Sequence, residues 1–400
     1  MGNSMASYER KNMAFSYWES KQWLSDRNLV VVGGGIVGLS AALRVRELHP
    51  NWKITVIERH PFGGGGSTRN AGFACFGSAT ELREDRITLG DTLALELVQK
   101  RWTGLQLLRK QLGDQALGYR ESGSVELFLK GFEQHSAVPS AEELEDLNRW
   151  IAPVTGTTQT FENIPSHQFH GMDAAAIEQV ISSPLEGCID TGLMMQALQS
   201  EVHKSGIDLV HGCHVTGIEN GSQPRIRISE TAAGGTWFET ERLLLTTNAF
   251  ARELLDDLDV HPATNLVLVT EPLQTLPPQP TVHIDAGYVY ARSIENRLLI
   301  GGGRHWGIDA PEALEARLLE TMRAIWPESK SVNVDHRWTG VLGIGQARLP
   351  IVQAVQSGIH VAVRLGGMGV AMGMQCGQQA AALVAETSFP ASDKHLFRFD

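Results

Sequence analysis

The feature that most constrains this chain is a glycine pattern between an apolar run and a helical pattern, within Val30 to Leu43. The run Val30 to Val32 is typical of a buried parallel strand, and Gly33, Gly35 and Gly38 follow it at Gly-x-Gly-x-x-Gly spacing. The first glycine permits a tight turn, and the second lets the backbone approach a pyrophosphate. The third lets a helix pack closely on the strand. The pattern therefore predicts a dinucleotide at the N-terminus of this helix.

A second strand and an acidic residue complete the unit. Ile54 to Ile57 is another apolar run, and Glu58 ends it at the position expected of a residue that binds ribose hydroxyls. A lone glycine pattern would be weak evidence, because glycine-rich turns are common. Here the strand, the helix and the acid are all present, so an ordinary strand-turn-helix is the weaker interpretation.

Charge and hydropathy exclude several classes of protein. The 400 residues carry a net charge of −11, which argues against nucleic acid or an anionic membrane surface as the main partner. No apolar run is long enough to span a membrane, and the N-terminus lacks the apolar core of a secretory signal. The cysteines are widely spaced, which favours a reduced, cytoplasmic location over a disulfide framework.

Segments with the helix and strand pattern of a dinucleotide-binding domain alternate along the chain with segments of alternating, antiparallel-strand pattern. This order predicts an α/β fold with two interleaved domains. Helices are predicted at 91–112, 141–150, 191–205, 313–326 and 375–386. Further strands are predicted at 121–129, 207–211, 213–218, 236–245, 264–270, 288–300 and 360–363. After a leader at 1–27, we expect a discontinuous dinucleotide-binding domain at 28–110, 185–260 and 335–390. A mixed, mainly antiparallel substrate domain would occupy 111–184 and 261–334.

Two further glycine clusters are not needed by a simple nicotinamide-binding domain. The first, at 63–72, contains Ser67 to Asn70, which would open a helix and offer donors to phosphate. The second, Gly366 to Gly373, joins a strand to a helix whose N-terminus would face a negatively polarised ring. A flexible loop is the bland interpretation of the first cluster. A cofactor that spans from Glu58 to the C-terminal turn explains both, whereas an NAD-only dehydrogenase explains neither.

These segments resemble, in order and spacing, those of the D-amino-acid oxidase/glycine oxidase family of FAD-dependent oxidoreductases, from residue 28 to about 386. Besides the first glycine turn and Glu58, the resemblance is carried by 67–72, 245–249, 288–292, 298–302, 338–340 and 366–370. It implies a glutathione-reductase-like Rossmann domain that binds FAD in an extended form.

The resemblance also implies which residues lie along the cofactor. Glu58 and Arg59 would lie by the adenosine ribose, Ile36 and Val37 by the pyrophosphate, and Val215 by the adenine. The segments expected at the phosphates, the flavin ring and its pyrimidine edge supply the remaining residues: Ser67, Thr68, Arg69, Asn70, Ala71, Gly72, Phe73, Asn248, Gly366, Gly367, Met368, Gly369, Val370, Ala371 and Met372.

The chemistry implied by the family is oxidation of a carbon–nitrogen bond of a small amine or amino acid. A hydride passes from the carbon next to the nitrogen to flavin N5, the imine hydrolyses, and dioxygen or another acceptor reoxidises the flavin. This step needs alignment and a dry pocket. The sequence does not separate an oxidase from a dehydrogenase, and it leaves oligomerisation open.

The substrate-binding residues depart from those of glycine oxidase. Family members that use amino acids hold the carboxylate with an arginine, but the corresponding positions fall on Leu342 and Gly367. Other candidates to contact substrate are Arg304, Arg364, Arg348, Tyr290 and His305. If none of these arginines binds substrate, the alternative is a flavin-binding subunit or partner-binding module without amino-acid oxidase activity.

Some relatives attach their flavin covalently through a cysteine or histidine. Cys75 follows the segment expected at the ring, and Cys376 follows the last glycine turn, so either thiol is a candidate. Burial as a small apolar side chain is the stronger interpretation for both.

No metal site is expected. His211 and Cys213 would share one face of a strand while His214 points away, so three ligands would not converge. His167 and His170 lie in a polar segment without nearby carboxylates.

Overall fold

The computed structural model describes residues 15–132, 135–168, 171–231, 234–274 and 279–386. Part of the predicted leader, residues 1–14, therefore lies outside the described residues. None of the described helices is long and apolar enough to cross a membrane. The described α-helices of four residues or more are α1 (Ile36–Leu48), α2 (Ala79–Leu89), α3 (Asp91–Leu112), α4 (Asp114–Leu117), α5 (Ala141–Thr155), α6 (Thr191–Lys204), α7 (Pro311–Ile325) and α8 (Gly369–Val384), and a π-helix covers Ser20–Leu24.

The strands follow in chain order, with short 3₁₀ helices between some of them. The strands are β1 (Leu29–Val32), β2 (Ile54–Glu58), β3 (Phe73–Ala74), β4 (Ser124–Leu129), β5 (Glu162–Ile164), β6 (Ile177–Ser183), β7 (Gly187–Cys188), β8 (Asp208–His211), β9 (His214–Glu219), β10 (Arg225–Thr231), β11 (Gly234–Glu239), β12 (Leu243–Leu245), β13 (His261–Thr270), β14 (Thr281–Ile284), β15 (Val289–Ile294), β16 (Arg297–Gly302), β17 (Val334–Ile344), β18 (Ile351–Gln356) and β19 (Ile359–Val363). The 3₁₀ helices are Ser166–Gln168, Asn248–Glu253, Arg304–Trp306 and Pro327–Ser331.

A six-stranded sheet carries the first glycine turn. Its order is β18-β19-β12-β1-β2-β8, and all pairs are parallel except the edge pair β18–β19. Every residue of β1 is buried, so its apolar run does not alternate. In register, Val30 lies opposite both Thr55 and Leu243. The carboxyl ends of the parallel strands therefore meet at one edge, where such sheets bind ligands.

An eight-stranded sheet forms the second layer system, in the order β17-β13-β16-β15-β14-β4-β6-β5. Its pairs are antiparallel except β4 with β14. Helix α7 covers this sheet with the buried side chains Leu318, Met322 and Ile325. The predicted α/β fold, a Rossmann-like sheet with a mainly antiparallel second sheet, is confirmed.

The boundaries between the predicted domains stay a prediction, and the strands suggest one change to them. Strand β17 pairs with β13 along its whole length, inside the eight-stranded sheet. The predicted third segment of the dinucleotide-binding domain began at residue 335, within this strand. We propose that this segment begins after Ile344, and residues 387–390 of it lie outside the described residues.

The last helix begins earlier than predicted, at Gly369 instead of residue 375. The glycines at 369 and 373 indicated a turn, but they belong to α8. A Cβ at Gly373 would lie 2.5 Å from Cγ2 of Ile36, and one at Gly377 would lie 2.6 Å from Cβ of Ser40. These glycines therefore let α8 pack against α1, which outweighs their low helix propensity.

Three other local predictions were wrong. The predicted strand 236–245 is split between two sheets, because Thr240 turns back to donate a hydrogen bond to the Arg27 carbonyl. The predicted strand 288–300 is a hairpin of β15 and β16, which turns at Glu295 with a φ of 52°. Ser67 to Asn70 form a turn instead of opening a helix.

Candidate active site

A cleft that we call the nucleotide slot lies at the carboxyl ends of the parallel strands β1, β2, β12 and β19. The following residues line it: Val32–Val37, Ile57–His60, Gly63, Gly65–Ser67, Asn70, Met194, Met195, Cys213–Val215, Thr246–Phe250, Glu253, Leu254, Val341, Leu342, Leu365–Gly367, Gly369 and Val370. The slot extends from the first glycine turn to the last one, as expected of an extended cofactor.

Two glycines of the first glycine turn, Gly33 and Gly38, have no room for a side chain. Gly33 has a φ of +113°, and a Cβ there would lie 2.8 Å from Oγ1 of Thr246. A Cβ at Gly38 would lie 2.0 Å from the Gly33 carbonyl oxygen, so this position fixes how α1 meets β1. Gly35 differs, since a Cβ there would meet only the movable hydroxyl of Ser67, at 2.9 Å. The fold therefore does not require a glycine at position 35, and the missing side chain instead leaves space for a ligand.

The N-terminus of α1 is available to an anion. The N-cap residue, Gly35, has no side chain to cap the helix, and the Ile36 amide donates instead to the Ser67 hydroxyl at 3.0 Å. That hydroxyl comes from the loop 63–72, which closes one side of the slot. A pyrophosphate can take the place of this single hydroxyl at the positive end of the helix.

Glu58 is held in place by the backbone around it. Its Oε2 accepts from the Gly34 amide and its Oε1 from the His60 amide, each at 2.9 Å. The side chain is buried, and each oxygen keeps a lone pair for a ribose hydroxyl. Glu58 therefore fits the predicted role, since it joins the first glycine turn to the end of β2.

Aromatic and apolar side chains form the slot beyond Glu58. Val215 is buried at the start of β9, and the Arg59 guanidinium lies 3.9 Å from the ring centre of Phe250. Glu253 holds that guanidinium in an ion pair at 3.2 Å. This end of the slot presents the flat, mostly apolar surface that an adenine requires.

The last glycine turn closes the other end of the slot. Gly366 has a φ of +58°, and α8 begins at Gly369 without a side-chain cap. The Asn248 carboxamide oxygen accepts from the amides of Arg364 and Leu365, at 2.9 and 3.3 Å. Asn248 therefore fixes the turn so that the positive end of α8 borders the slot, where it favours negative charge on a ring.

Three of the predicted cofactor residues shape the slot without lining it. Gly38 packs α1 on β1, as described above. Thr68 donates from Oγ1 to the carbonyls of Gly63 and Gly65, and the Gly72 carbonyl accepts from Arg292 at 3.0 Å. The other predicted residues of the loop and of the two glycine turns line the slot or the cavity beside it.

A second cavity of about 500 Å³, which we call the lateral cavity, adjoins the slot. The two share the wall formed by Gly66, Asn70, Leu342, Leu365, Gly366, Gly367 and Val370. Ala71, Phe73, Met368, Ala371 and Met372 also line the lateral cavity, so the segments expected at the flavin ring lie between the two spaces. All five predicted substrate residues line it: Tyr290, Arg304, His305, Arg348 and Arg364.

Arg304 is the arginine with a free guanidinium. It begins the 3₁₀ helix Arg304–Trp306, and its Cζ lies 4.6 Å from the ring centre of Tyr288. Among the described residues it has no hydrogen-bond acceptor and no carboxylate partner, while burial lowers the pKa of the guanidinium. A cation in a cavity wall without a partner is suited to bind an anionic group of a ligand.

Arg348 and Arg364 are instead bonded to the protein. Arg348 donates to Oε2 of Glu84 at 2.8 Å and to the Tyr288 hydroxyl at 2.9 Å. Arg364 donates to the Leu349 carbonyl at 2.7 Å and forms an ion pair with Asp259. Their guanidinium groups hold loops together, so we propose that they position the site and that Arg304 contacts the substrate.

His305 and Tyr290 form parts of the cavity wall. His305 stacks on Tyr288, with 4.6 Å between the ring centres, and is hydrogen-bonded through Nε2 to Asp285. Burial raises the pKa of Tyr290 to about 12, so its phenol stays protonated. Phe73 packs edge-to-face against the Tyr290 ring, with 5.7 Å between the ring centres. Both residues fit the predicted role of pocket walls.

The sequence interpretation missed the charged residues Glu81, Arg101 and His283 of the cavity, of which Glu81 is the acid. Ser78 and Glu81 have the Ser-x-x-Glu spacing of a capping box, which predicts a carboxylate bonded to the helix end. In α2 the Ser78 hydroxyl does accept from the Glu81 amide, but the Glu81 carboxylate lines the lateral cavity instead. The sequence does not predict that the Glu81 carboxylate faces the cavity, because the Ser-x-x-Glu spacing is the same whether or not the carboxylate caps the helix.

We expect the flavin to be bound non-covalently. Burial raises the pKa of the Cys75 thiol well above its usual range and that of Cys376 to about 12, so neither forms the thiolate that attacks an electrophile. Acid precipitation of the purified protein should release all of its flavin into the supernatant. Flavin that stays with the precipitated wild-type protein would indicate a covalent link. If only one of the variants Cys75→Ser and Cys376→Ser then released its flavin, the cysteine replaced in that variant would be the point of attachment.

One group of potential metal ligands converges within the described residues: Cys75, Glu186 and His283. Glu186 Oε1 accepts from the amides of Phe76 and Gly77, and its Oε2 lies 3.4 Å from His283 Nε2. Burial alone would lower the pKa of His283, but Glu186 outweighs it and raises that pKa. The arrangement is that of a buried ion pair beside a protonated thiol, and we assign no metal to it.

The histidines considered in the sequence have a different arrangement from that predicted. Strand β8 ends at His211 and β9 begins at His214, so the two do not share one strand. Within the described residues, the groups that could hold a metal do not include them. His170 lies outside the described residues.

Comparison with known proteins agrees with this site. The chain is 24% identical over 373 residues to a probable oxidoreductase, OrdL, of Rhizobium meliloti, which covers 89% of this chain and 82% of that protein. It is 24% identical over 385 residues to γ-glutamylputrescine oxidoreductase of Escherichia coli, with 90% and 83% covered. The fold is similar to that of glycine oxidase from Geobacillus kaustophilus, with a TM-score of 0.71, 19% identity, and 93% of this chain and 99% of that chain covered.

A family profile decides the assignment. The profile described as FAD dependent oxidoreductase (DAO) matches residues 28–383, which include both glycine turns and both cavities. The glycine turns, the bonded Glu58 and the two uncapped helix ends fit FAD in the nucleotide slot. The chain therefore belongs to the DAO family of FAD-dependent oxidoreductases.

Proposed function

We propose that this protein oxidises the carbon–nitrogen bond of a small amine or amino acid. The bound FAD would supply the hydride acceptor at N5, the imine product would hydrolyse, and dioxygen or another acceptor would take up the electrons. The family supports the redox chemistry. The relative from Escherichia coli is by name an oxidoreductase of an amine, and the similar structure is by name a glycine oxidase.

The observation that carries this proposal is a cation that has no carboxylate partner among the described residues and lies in a cavity beside the nucleotide slot. Arg304 lines the lateral cavity, and the segments expected at the flavin ring form the wall between cavity and slot. A substrate carboxylate on Arg304 would hold the rest of the molecule in this cavity next to the ring. Such positioning is what a hydride transfer requires of a protein.

The other side chains keep the cavity dry and shaped. Leu342 and Val370 belong to the shared wall, and Met372 lines the cavity behind it. Tyr290 packs over Gly301, where a Cβ would lie 2.6 Å from Cε2 of the tyrosine. An apolar wall excludes water from the reacting carbon, and the end of α8 stabilises negative charge on a reduced ring.

The test is anaerobic reduction of the bound flavin by a panel of primary amines, secondary amines, and D- and L-amino acids. We expect at least one class to bleach the absorbance near ~450 nm of the oxidised cofactor. Recovery after air is admitted would identify dioxygen as an acceptor, and no recovery would favour a dehydrogenase. Protein that retains flavin but is not reduced by any member of the panel would contradict the proposal.

The second candidate function is a flavin-binding subunit or partner-binding module. Leu342 and Gly367 favour it, because they line the cavities at the positions where the family resemblance implies substrate arginines. Arg304 argues against it. The flavin-reduction panel separates the two functions, since a module would keep its flavin oxidised with every amine.

A further inference from the structure

Glu81 is the second charged group of the lateral cavity without a full partner. Its Oε1 lies 3.8 Å from a guanidinium nitrogen of Arg101, while the same nitrogen lies 2.9 Å from Oδ2 of Asp85. No hydrogen bond to its Oε2 is found among the described residues. That oxygen lies 3.7 Å from the place of a Cβ on Gly287, another residue of the cavity wall.

The reason that Glu81 faces the cavity lies in the buried Glu126. The helix start that Glu81 would cap is already held by Glu126, whose Oε1 accepts from the Ser78 hydroxyl at 2.9 Å and whose Oε2 accepts from the Thr80 amide at 3.1 Å. In α5 the same spacing gives the ordinary result, with Ser140 and Glu143 bonded reciprocally in a capping box. Glu126 therefore replaces Glu81 as the cap of α2.

The charges around Glu81 leave one carboxylate in excess. Three acids, Glu81, Glu84 and Asp85, share two guanidinium groups, those of Arg101 and Arg348. Glu84 and Asp85 have the shorter contacts, so Glu81 is the acid that remains. Burial raises the pKa of Glu81 to about 7 despite the opposing effects of Arg101, Arg348 and His283, and Asp85 adds to the increase.

Glu81 and Arg304 lie in the same part of the site. Both line the lateral cavity, and neither lines the nucleotide slot. The Glu81 carboxylate raises the pKa of Arg304 against the effect of burial, although no ion pair joins the two side chains. The cavity wall thus offers a carboxylate with only a long contact to Arg101, at 3.8 Å, and the guanidinium of Arg304, both away from the wall that the cavity shares with the slot.

We propose that the substrate is an amine whose far end carries both a carboxylate, bound by Arg304, and an ammonium group, bound by Glu81. This inference rests on the proposed function and names its substrate class. The ammonium held by Glu81 is not the nitrogen that is oxidised. A nearby carboxylate stabilises the protonated form, whereas the nitrogen next to the departing hydride has to be neutral.

The experiment compares two ligands that differ only in the far ammonium group, lysine and 6-aminohexanoate. Dissociation constants are measured from the ligand-induced rise in Tm of the holoenzyme at pH 8, for the wild type, Glu81→Gln and Glu143→Gln. We expect the wild type to bind lysine about 10-fold or more tightly than 6-aminohexanoate, as for one bond to a charged group. Glu81→Gln should bind both equally. Glu143→Gln, the matched change in a capping box, should keep the wild-type ratio.

A second test measures how the preference of the wild type for lysine over 6-aminohexanoate depends on pH. Glu81, with a pKa of about 7, loses its charge as the pH falls, so the preference for lysine should decline between pH 8 and pH 6. Glu81 faces Arg101, Arg348, Asp85, His283 and Arg304, and the test has to control for His283, whose pKa Glu186 raises. A decline that arose from His283 would persist in Glu81→Gln, whereas we expect that variant to be insensitive to pH.

The outcomes separate this inference from the proposed function. Equal binding of the two ligands by the wild type, no binding of either, or a preference retained by Glu81→Gln would each overturn the inference. Flavin reduction by amines would then still support the proposed function. A preference that depends on Glu81 in a protein whose flavin no amine reduces would keep the binding assignment and overturn the function. If Glu81→Gln does not fold, the wild type still tests the inference, because equal binding of lysine and 6-aminohexanoate at pH 8 would overturn it.

Discussion

Gly35→Ala should yield a folded protein that has lost its FAD. The new Cβ would meet only the Ser67 hydroxyl, at 2.9 Å, and that side chain can rotate away. The backbone at Gly35 has a φ of −83°, which alanine adopts without strain. The methyl group would nevertheless project where the pyrophosphate approaches the end of α1. Loss of one or two charged hydrogen bonds should weaken FAD binding about 100-fold or more.

The measurement is the ratio of flavin to protein absorbance after purification, together with the circular dichroism spectrum. Gly38→Ala provides the contrast, because its Cβ would lie 2.0 Å from a backbone carbonyl and should prevent folding. Gly221→Ala, in an exposed turn outside the slot, is the control and should keep its flavin. Full flavin content in Gly35→Ala would contradict the placement of the pyrophosphate at this turn.

The parts of the fold that depend on local spacing could be predicted from the sequence. The β1–α1–β2 unit follows from period and glycine spacing, and α3 was predicted with the bounds it has. The start of α8 could not be predicted in this way. Gly369 and Gly373 are locally typical of a turn, and the reason for a glycine at 373 within a helix is the close approach of α1, a partner distant in sequence.

The nucleotide slot could be predicted for the same reason, since glycine turns and Glu58 bind the cofactor largely through the backbone. The lateral cavity could not, because it is assembled from segments far apart in sequence. Arg304 and Arg364 were favoured over Arg348 because they lie beside glycines at the ends of strands, but no local pattern shows which guanidinium is available to a substrate. Only their partners do, because Glu84 and Asp259 occupy two of the three guanidinium groups. The position of the Glu81 carboxylate in the cavity could not be predicted, because its spacing from Ser78 is that of a capping box.

Arg304→Ala should raise KM for a substrate that carries a carboxylate and change kcat much less. The guanidinium would bind a part of the substrate that does not react, so its loss weakens ground state and transition state alike. Removing one partner of a buried charge pair costs about 2–5 kcal/mol, which corresponds to an increase in KM of about 30-fold or more. An amine without a carboxylate should show the same KM in Arg304→Ala and in the wild type.

Two further variants, one of Arg304 and one of Arg364, separate binding from folding. Arg304→Lys should recover part of the affinity, since it keeps the charge but loses the planar fork. Arg364→Ala should instead lower Tm, because it leaves the Leu349 carbonyl and Asp259 without their donor. Steady-state kinetics of each variant with the best acidic substrate of the panel, and thermal unfolding of the same preparations, provide the comparison. An unchanged KM in Arg304→Ala would remove Arg304 from the site, and a raised KM with unchanged Tm in Arg364→Ala would put Arg364 in its place.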